Sequence, residues 1–384
     1  MCAHSILRFF VLQFIFLFTL TGCTTFTYTP VFESQTIDDK VEIGYGLAIG
    51  DVDGDGKKDI LLADKKQFVW YRNGDWKRFV MADSLTDADN VCITARDING
   101  DGKVEVAVGA QWSPGETHDK NLSGSVHYLI RPEDPTQRWT PVQLYHEVTI
   151  HRMQWVRVGG KYFLTVLPLH GQDNQNGEGA PVNLLIYPVP EDVSGEWSYS
   201  TLSTGMHMTH NFEVIENGGK TELLIGGKEG IRRVVSSEGE WSLENEWAVE
   251  GTGFGEVREF HNGGGKTLTA GISPMHGTAL ILFGDTLYKD FAQGHALACS
   301  DLLGQGRDQI VAGWRNPDAA EKVGIILFYK GSDGEWLQYL VDDNTMACED
   351  LKVADLDRDG KPEIIAAGRA THNLKIYWNQ SVVE

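Results

Sequence analysis

The sequence predicts an all-β fold: one seven-bladed β-propeller whose last blade is completed by the N-terminal segment. Three observations lead there. A unit made of a short strand, a Gly/Asp turn and an apolar strand recurs seven times, at a period of roughly 40–60 residues, the repeat length of propeller blades. No amphipathic helical pattern interrupts the units, which argues against an α/β domain. The ends are complementary, because Asn373–Asn379 closes the seventh unit without an outer strand and Tyr28–Ile37 supplies a spare one.

Composition agrees with a packed chain. Of 384 residues 41% are hydrophobic, enough for a sizeable core, so a disordered chain is excluded. Length alone would suggest two or three domains, but a repeat array fits equally well. The formal charge of −21 argues against a nucleic-acid partner, which needs clustered Lys and Arg to release counterions. Electrostatic attraction to an anionic membrane is disfavoured for the same reason.

Residues 1–22 read as a secretion signal, with Arg8 ahead of the apolar run Phe9–Leu20. That run is too short to span a bilayer, which takes about 20 residues. Leu20-Thr21-Gly22-Cys23 resembles a bacterial lipobox. The resemblance implies a lipid on Cys23, a mature propeller of residues 23–384 and a membrane partner through that lipid. Thr24-Thr25-Phe26 contains no acidic export run, so an outer-membrane lipoprotein facing the periplasm is expected. The remaining Cys92, Cys299 and Cys348 lie in apolar strand-like stretches without C-x-x-C spacing, as buried free thiols do.

The units follow in order. The first, second and seventh turns carry acids at alternating positions: Asp51, Asp53, Asp55 and Asp59, then Asp97, Asn99, Asp101 and Glu105, then Asp355, Asp357, Asp359 and Glu363. A worn copy begins at Asp301, and three more keep only the Gly-Gly-Lys turn, at Gly159, Gly218 and Gly264. This spacing folds carboxylates around one point, as hard Ca²⁺ requires. An EF-hand would need Glu where Leu62 stands, so these are blade turns holding structural calcium. The turns resemble the FG-GAP/VCBS repeat family of calcium-looped propellers. That resemblance covers the mature chain, and it is specific for fold and weak for function.

Counting back from each turn places Tyr45, Val91, His151, His210, Gly255 or Glu256, His295 and Glu349 at the entry of the innermost strands. Counting forward, the second strands end at Lys65, Gln111, His170, Lys228, His276, Arg315 and Arg369. Antiparallel pairing brings both rings to one mouth, opposite the acidic turns. Such a His-rich, cationic funnel suits a carboxylate- or sulfate-bearing ligand. Three His and a carboxylate would also suit zinc, but blades spread around a wide channel would hold them too far apart to share an ion.

Histidines at one mouth suggest proton transfer. No Gly-x-Ser-x-Gly elbow supports a serine nucleophile, and paired acids for glycoside hydrolysis are scarce. β-Elimination beside a carboxylate fits best. Ile150-His151-Arg152, Pro168-Leu169-His170-Gly171, Thr209-His210-Asn211-Phe212 and Gly294-His295-Ala296 resemble the propeller ulvan lyases and the propeller of aldos-2-ulose (1,5-anhydrofructose) dehydratase. The resemblance implies a carbon–oxygen lyase or dehydratase acting on uronic-acid-containing oligosaccharides. His151 and His170 would be its acid and base, with His210 and Tyr45 as further catalytic candidates. Gln111, Lys228, His276, His295, Arg315, Glu349 and Arg369 would bind substrate, with Arg315 or Arg369 on the sugar carboxylate. Neither a cupin nor another accessory domain is expected beside the propeller, and a monomer is expected. The alternative is a non-catalytic glycan-binding or adhesion lipoprotein, with Trp112 and Trp314 as aromatic platforms.

Overall fold

The computed structural model describes residues 27–383, so the expected signal segment and Cys23 lie outside the described residues. Seven antiparallel sheets of four main strands surround one axis. Their innermost strands are Gly46–Gly50, Cys92–Arg96, Ile150–Val158, Thr209–Asn217, Glu256–His261, Gly294–Ser300 and Cys348–Ala354, which define blades 1 to 7. Blade 4 carries a short extra strand, Val249–Glu250.

Closure follows the expectation from the chain ends. Phe32–Asp38 forms the outermost strand of blade 7, with Phe32 opposite Asn379 and Asp38 opposite Leu374. Side chains fix it there: Trp378 donates to Gln35 at 2.8 Å and Tyr71 to Asp38 at 2.7 Å. Tyr28–Thr29 then pairs with Val382–Val383.

The core lies between blades. The second strands, such as Glu105–Ala110 and Glu363–Gly368, are buried along their whole length, because a blade is covered on both faces. Leu61, Trp70, Val106 and Leu129 fill the space between blades 1 and 2, and Val311, Leu327, Ile364 and Tyr377 fill that between 6 and 7. Each such side chain contributes about 1.5–3 kcal/mol on burial. Cys92 and Cys348 are buried and Cys299 half-buried, all free thiols, and burial pushes each thiol up.

The acidic turns share one construction. Asp51 accepts from the amides of Gly54 and Gly56 at 2.6 and 2.7 Å, with both glycines in the left-handed region at φ 81° and 84°. Asp97 and Asp355 repeat this at Gly100 and Arg358. The last acid of each turn, Asp59, Glu105 or Glu363, is buried and accepts the amide of Val52, Ile98 or Leu356. Burial, reinforced by the neighbouring aspartates, raises Asp59 and Glu363 to about 7. Asp51, Asp53 and Asp59 converge closely enough to share an ion, as do Asp355, Asp357 and Asp359.

Candidate active site at the propeller mouth

All innermost strands start at one face and end at the Gly-bearing turns on the other, three of which are acidic. At four of them the ladder slips by one residue at the start: between Ile150 and Arg152, Thr209 and Asn211, Gly294 and Ala296, and Cys348 and Asp350. The extra residues are His151, His210, His295 and Glu349. A bulge turns its unpaired residue out of the pleat, which aims these four side chains at the axis.

The three bulged histidines are held alike. His151 Nδ1–H donates to the carbonyl of His210 at 2.7 Å, His210 Nδ1–H to that of Gly255 at 3.0 Å, and His295 Nδ1–H to that of Glu349 at 2.6 Å. Each ring is thus tied to the next blade, with Nε2 left as the lone-pair nitrogen. The Nε2 of His151 accepts from Arg152 at 3.1 Å, and the Nε2 atoms of His210 and His276 lie 2.7 Å apart, sharing one proton. His276 lies in the turn after the second strand of blade 5, Thr267–Ser273, and turns inward with φ 51°.

These rings line or underlie a cavity of about 190 Å³. Tyr45, Trp112, His151, Arg152, His276 and His295 form much of its wall, with Arg315, Glu349 and Arg369 beside them. Glu349 is buried and receives Arg315 at 3.0 Å and Arg369 at 2.9 Å. Three guanidiniums against one carboxylate leave the wall cationic. Tyr45 donates to Asp89 at 3.1 Å, and the Arg369 guanidinium lies 5.5 Å from its ring. Burial and then Asp89 raise the Tyr45 phenol, so it stays protonated.

Burial, aided by Arg152, holds His151 well below the usual histidine range, and burial with Arg315 does the same for His295. His276 falls to about 2, from burial and then His210. Glu256 lies beneath, 3.3 Å from His210 Nδ1, and is held by Asn211 at 2.7 Å and Arg258 at 3.2 Å. Burial raises its carboxyl, but His210 and Arg258 outweigh this and bring it to about 2. The mouth therefore holds neutral imidazoles over an ionised carboxylate.

Two entry-ring histidines, His210 and His295, meet His276 of the second ring near the axis. The ring centroids of His210, His276 and His295 stand 4.6–5.2 Å apart, and one ligand nitrogen of each falls within 4.8 Å of the others. Borderline imidazole donors, two of them with Nδ1–H tied to a carbonyl, fit a divalent transition metal.

Three expected site residues are placed elsewhere. His170 does not line the cavity; its ring meets the His207 backbone, and its Nδ1 is buried without a partner. Lys228 donates to the carbonyls of Asn176 and Gly177, and Gln111 faces the backbone of Ala88. Of the two tryptophan platforms, Trp314 is core, bonded to the Lys322 carbonyl, while Trp112 stacks on His151 at 5.1 Å. Sequence reasoning missed Arg152, Asn211 and Asp350. They follow the bulged residues and line a deeper axial channel of about 380 Å³ with Arg258 and Lys352.

Residues 43–108 match the FG-GAP-like repeat family. This segment spans the first two acidic turns. No curated protein sequence matches the chain. Among solved structures it resembles BBS1N in complex with ARL6DN, at TM-score 0.58 and 12% identity over 92% of this chain and 97% of that one. A chain of the mitotic checkpoint complex gives TM-score 0.54 at 11% identity over 97% and 98%. Identities this low speak for the propeller fold alone.

Proposed function

We propose that the mouth is the active site of a carbon–oxygen lyase that performs β-elimination on uronic-acid-containing, ulvan-type oligosaccharides. The observation that carries this is His295. It is a neutral imidazole with Nδ1–H on the Glu349 carbonyl, beside two arginines that share the Glu349 side chain. Arg315 and Arg369 hold the sugar carboxylate and stabilise the enolate-like charge that develops on it. His295 Nε2 takes the proton α to the carboxylate. The β carbon–oxygen bond then breaks, and the departing oxygen receives a proton from Tyr45, whose raised pKa suits transfer to an alkoxide.

A second reading rests on the convergence of His210, His276 and His295. A divalent ion there would supply Lewis acidity toward a sugar oxygen. In that form His151 is the remaining neutral imidazole for proton transfer, with Tyr45 as before. Elemental analysis of protein purified without chelator separates the readings: one zinc per chain, lost in His276→Ala, favours the second.

Calcium on the turns of blades 7, 1 and 2 supports the fold, and the chain acts as a monomer anchored in the cell envelope through Cys23. The test of the reaction is incubation with uronate-bearing oligosaccharides while following absorbance of the conjugated uronate. Turnover with these, and none with their carboxyl-reduced counterparts, supports the proposal. Equal turnover of both, or binding without turnover, removes it.

A further inference from the structure

The propeller has a fixed orientation relative to its lipid anchor: we infer that the turn face docks on the bilayer and the mouth points away from it. The inference rests on the reading of Cys23 as lipidated. Its observations are the point where the described chain begins and the surface found there.

The outermost strand of blade 7 enters from the turn face. Phe32, its first residue, is opposite Asn379, and Asn379 donates to the carbonyl of Pro362 in the acidic turn of that blade. Lys361 of the same turn reaches the carbonyl of Ser381 at 3.1 Å, and Ser381 Oγ accepts the amide of Val31. Tyr28–Thr29 is therefore pinned beside the turn. From Cys23 to Tyr28 the chain covers at most about 18 Å, at ~3.3–3.6 Å per residue. From its first to its last residue a strand such as Cys348–Ala354 rises about 20 Å, at ~3.3 Å per residue. The tether is shorter than the blade is tall, so it cannot carry the mouth face to the membrane.

The surface at the exit point is apolar. Val31, Val382 and Val383 are 39%, 46% and 53% exposed, and strand pairing sets Val382 and Val383 opposite Thr29 and Tyr28. They gather where the described chain begins, and contact with the headgroup–acyl boundary would remove them from water. The acidic turns of blades 7, 1 and 2 share the face, and with a total charge of −21 they disfavour an anionic surface. The partner that fits is a bilayer of zwitterionic headgroups, reached through the lipid and gripped by the valines. A substrate then approaches the mouth from the aqueous side, without crossing the membrane-facing surface.

The test uses the full lipidated chain in phosphatidylcholine vesicles containing a nitroxide-headgroup lipid. A fluorophore is attached at Val382→Cys on the turn face or at Ala319→Cys on the mouth side, with folding of each checked by thermal melt. The native thiols are buried or half-buried and serve as the unlabelled control. The expected result is several-fold stronger quenching at position 382 than at 319. Equal quenching at both, stronger quenching at 319, or none at either on a lipidated chain overturns the orientation. Mass spectrometry of the N-terminal peptide reports the anchor separately: no lipid on Cys23 removes the tether, and the inference with it.

Discussion

Acidification should unfold this protein through its own axis. His151, His276 and His295 are held neutral by burial and by Arg152, His210 and Arg315, whereas in the unfolded chain each titrates near about 6.5. A depressed folded pKa means that the stability is present above about 6.5 and lost as pH falls, because only the unfolded chain takes up the protons. One such group costs up to about 1.4 kcal/mol per pH unit, so pH 7 to 5 costs about 2 kcal/mol each and about 6 kcal/mol for three. That is a large part of a typical 5–15 kcal/mol. Asp59 and Glu363 act in the opposite sense: raised to about 7, their contribution is fully present below about 4 and is lost as pH rises from there through 7. Calcium on the turns would suppress their protonation, so the measurement belongs in excess calcium. Urea denaturation at pH 7, 6 and 5 should show the fall, and His295→Gln should flatten it by about one group's share, ~2 kcal/mol. Stability unchanged from pH 7 to 5 would refute the neutral, desolvated cluster.

Other perturbations separate the roles. His295→Ala should cut kcat by about 10²–10⁴-fold, while His170→Ala, outside the cavity, should leave it near wild type; comparable losses in both would contradict the assignment. Arg315→Ala and Arg369→Ala should raise KM and lower kcat together, by roughly 1.5–3 kcal/mol in kcat/KM. Calcium chelation should lower Tm without a matching loss of turnover below the melt, and activity lost at unchanged Tm would place calcium in the chemistry. A chain beginning at residue 39 lacks the closing strand and should melt well below the full chain, as differential scanning calorimetry would show.

The fold was legible because the acidic turns repeat almost letter for letter, and the Gly-Gly-Lys turns keep their left-handed glycines after losing the acids. The entry ring was legible too, since every turn offers the same offset to His151, His210, His295 and Glu349. The bulges were not. An extra residue leaves no mark in a strand's composition, so the exposure of Arg152, Asn211 and Asp350 to the channel could not be counted from the turns. His170 and His276 share the pattern Pro-x-His-Gly, yet only His276 has a positive φ and turns inward. That choice is made by the loop around residues 171–181, which ties to Thr117 and Lys228 across neighbouring blades. The meeting of His210 and His295 with His276 was hidden for a similar reason: bulged side chains reach the axis, where seven blades are closest.

The central claim is elimination, and the fate of solvent oxygen tests it most directly. Turnover of a uronate-bearing oligosaccharide in heavy-oxygen water, read by mass spectrometry, should give products without heavy oxygen. Their masses should either sum to that of the substrate or fall short of it by one water, with a conjugated uronate in each case. Heavy oxygen incorporated at the cleaved bond would mean hydrolysis and would contradict the account.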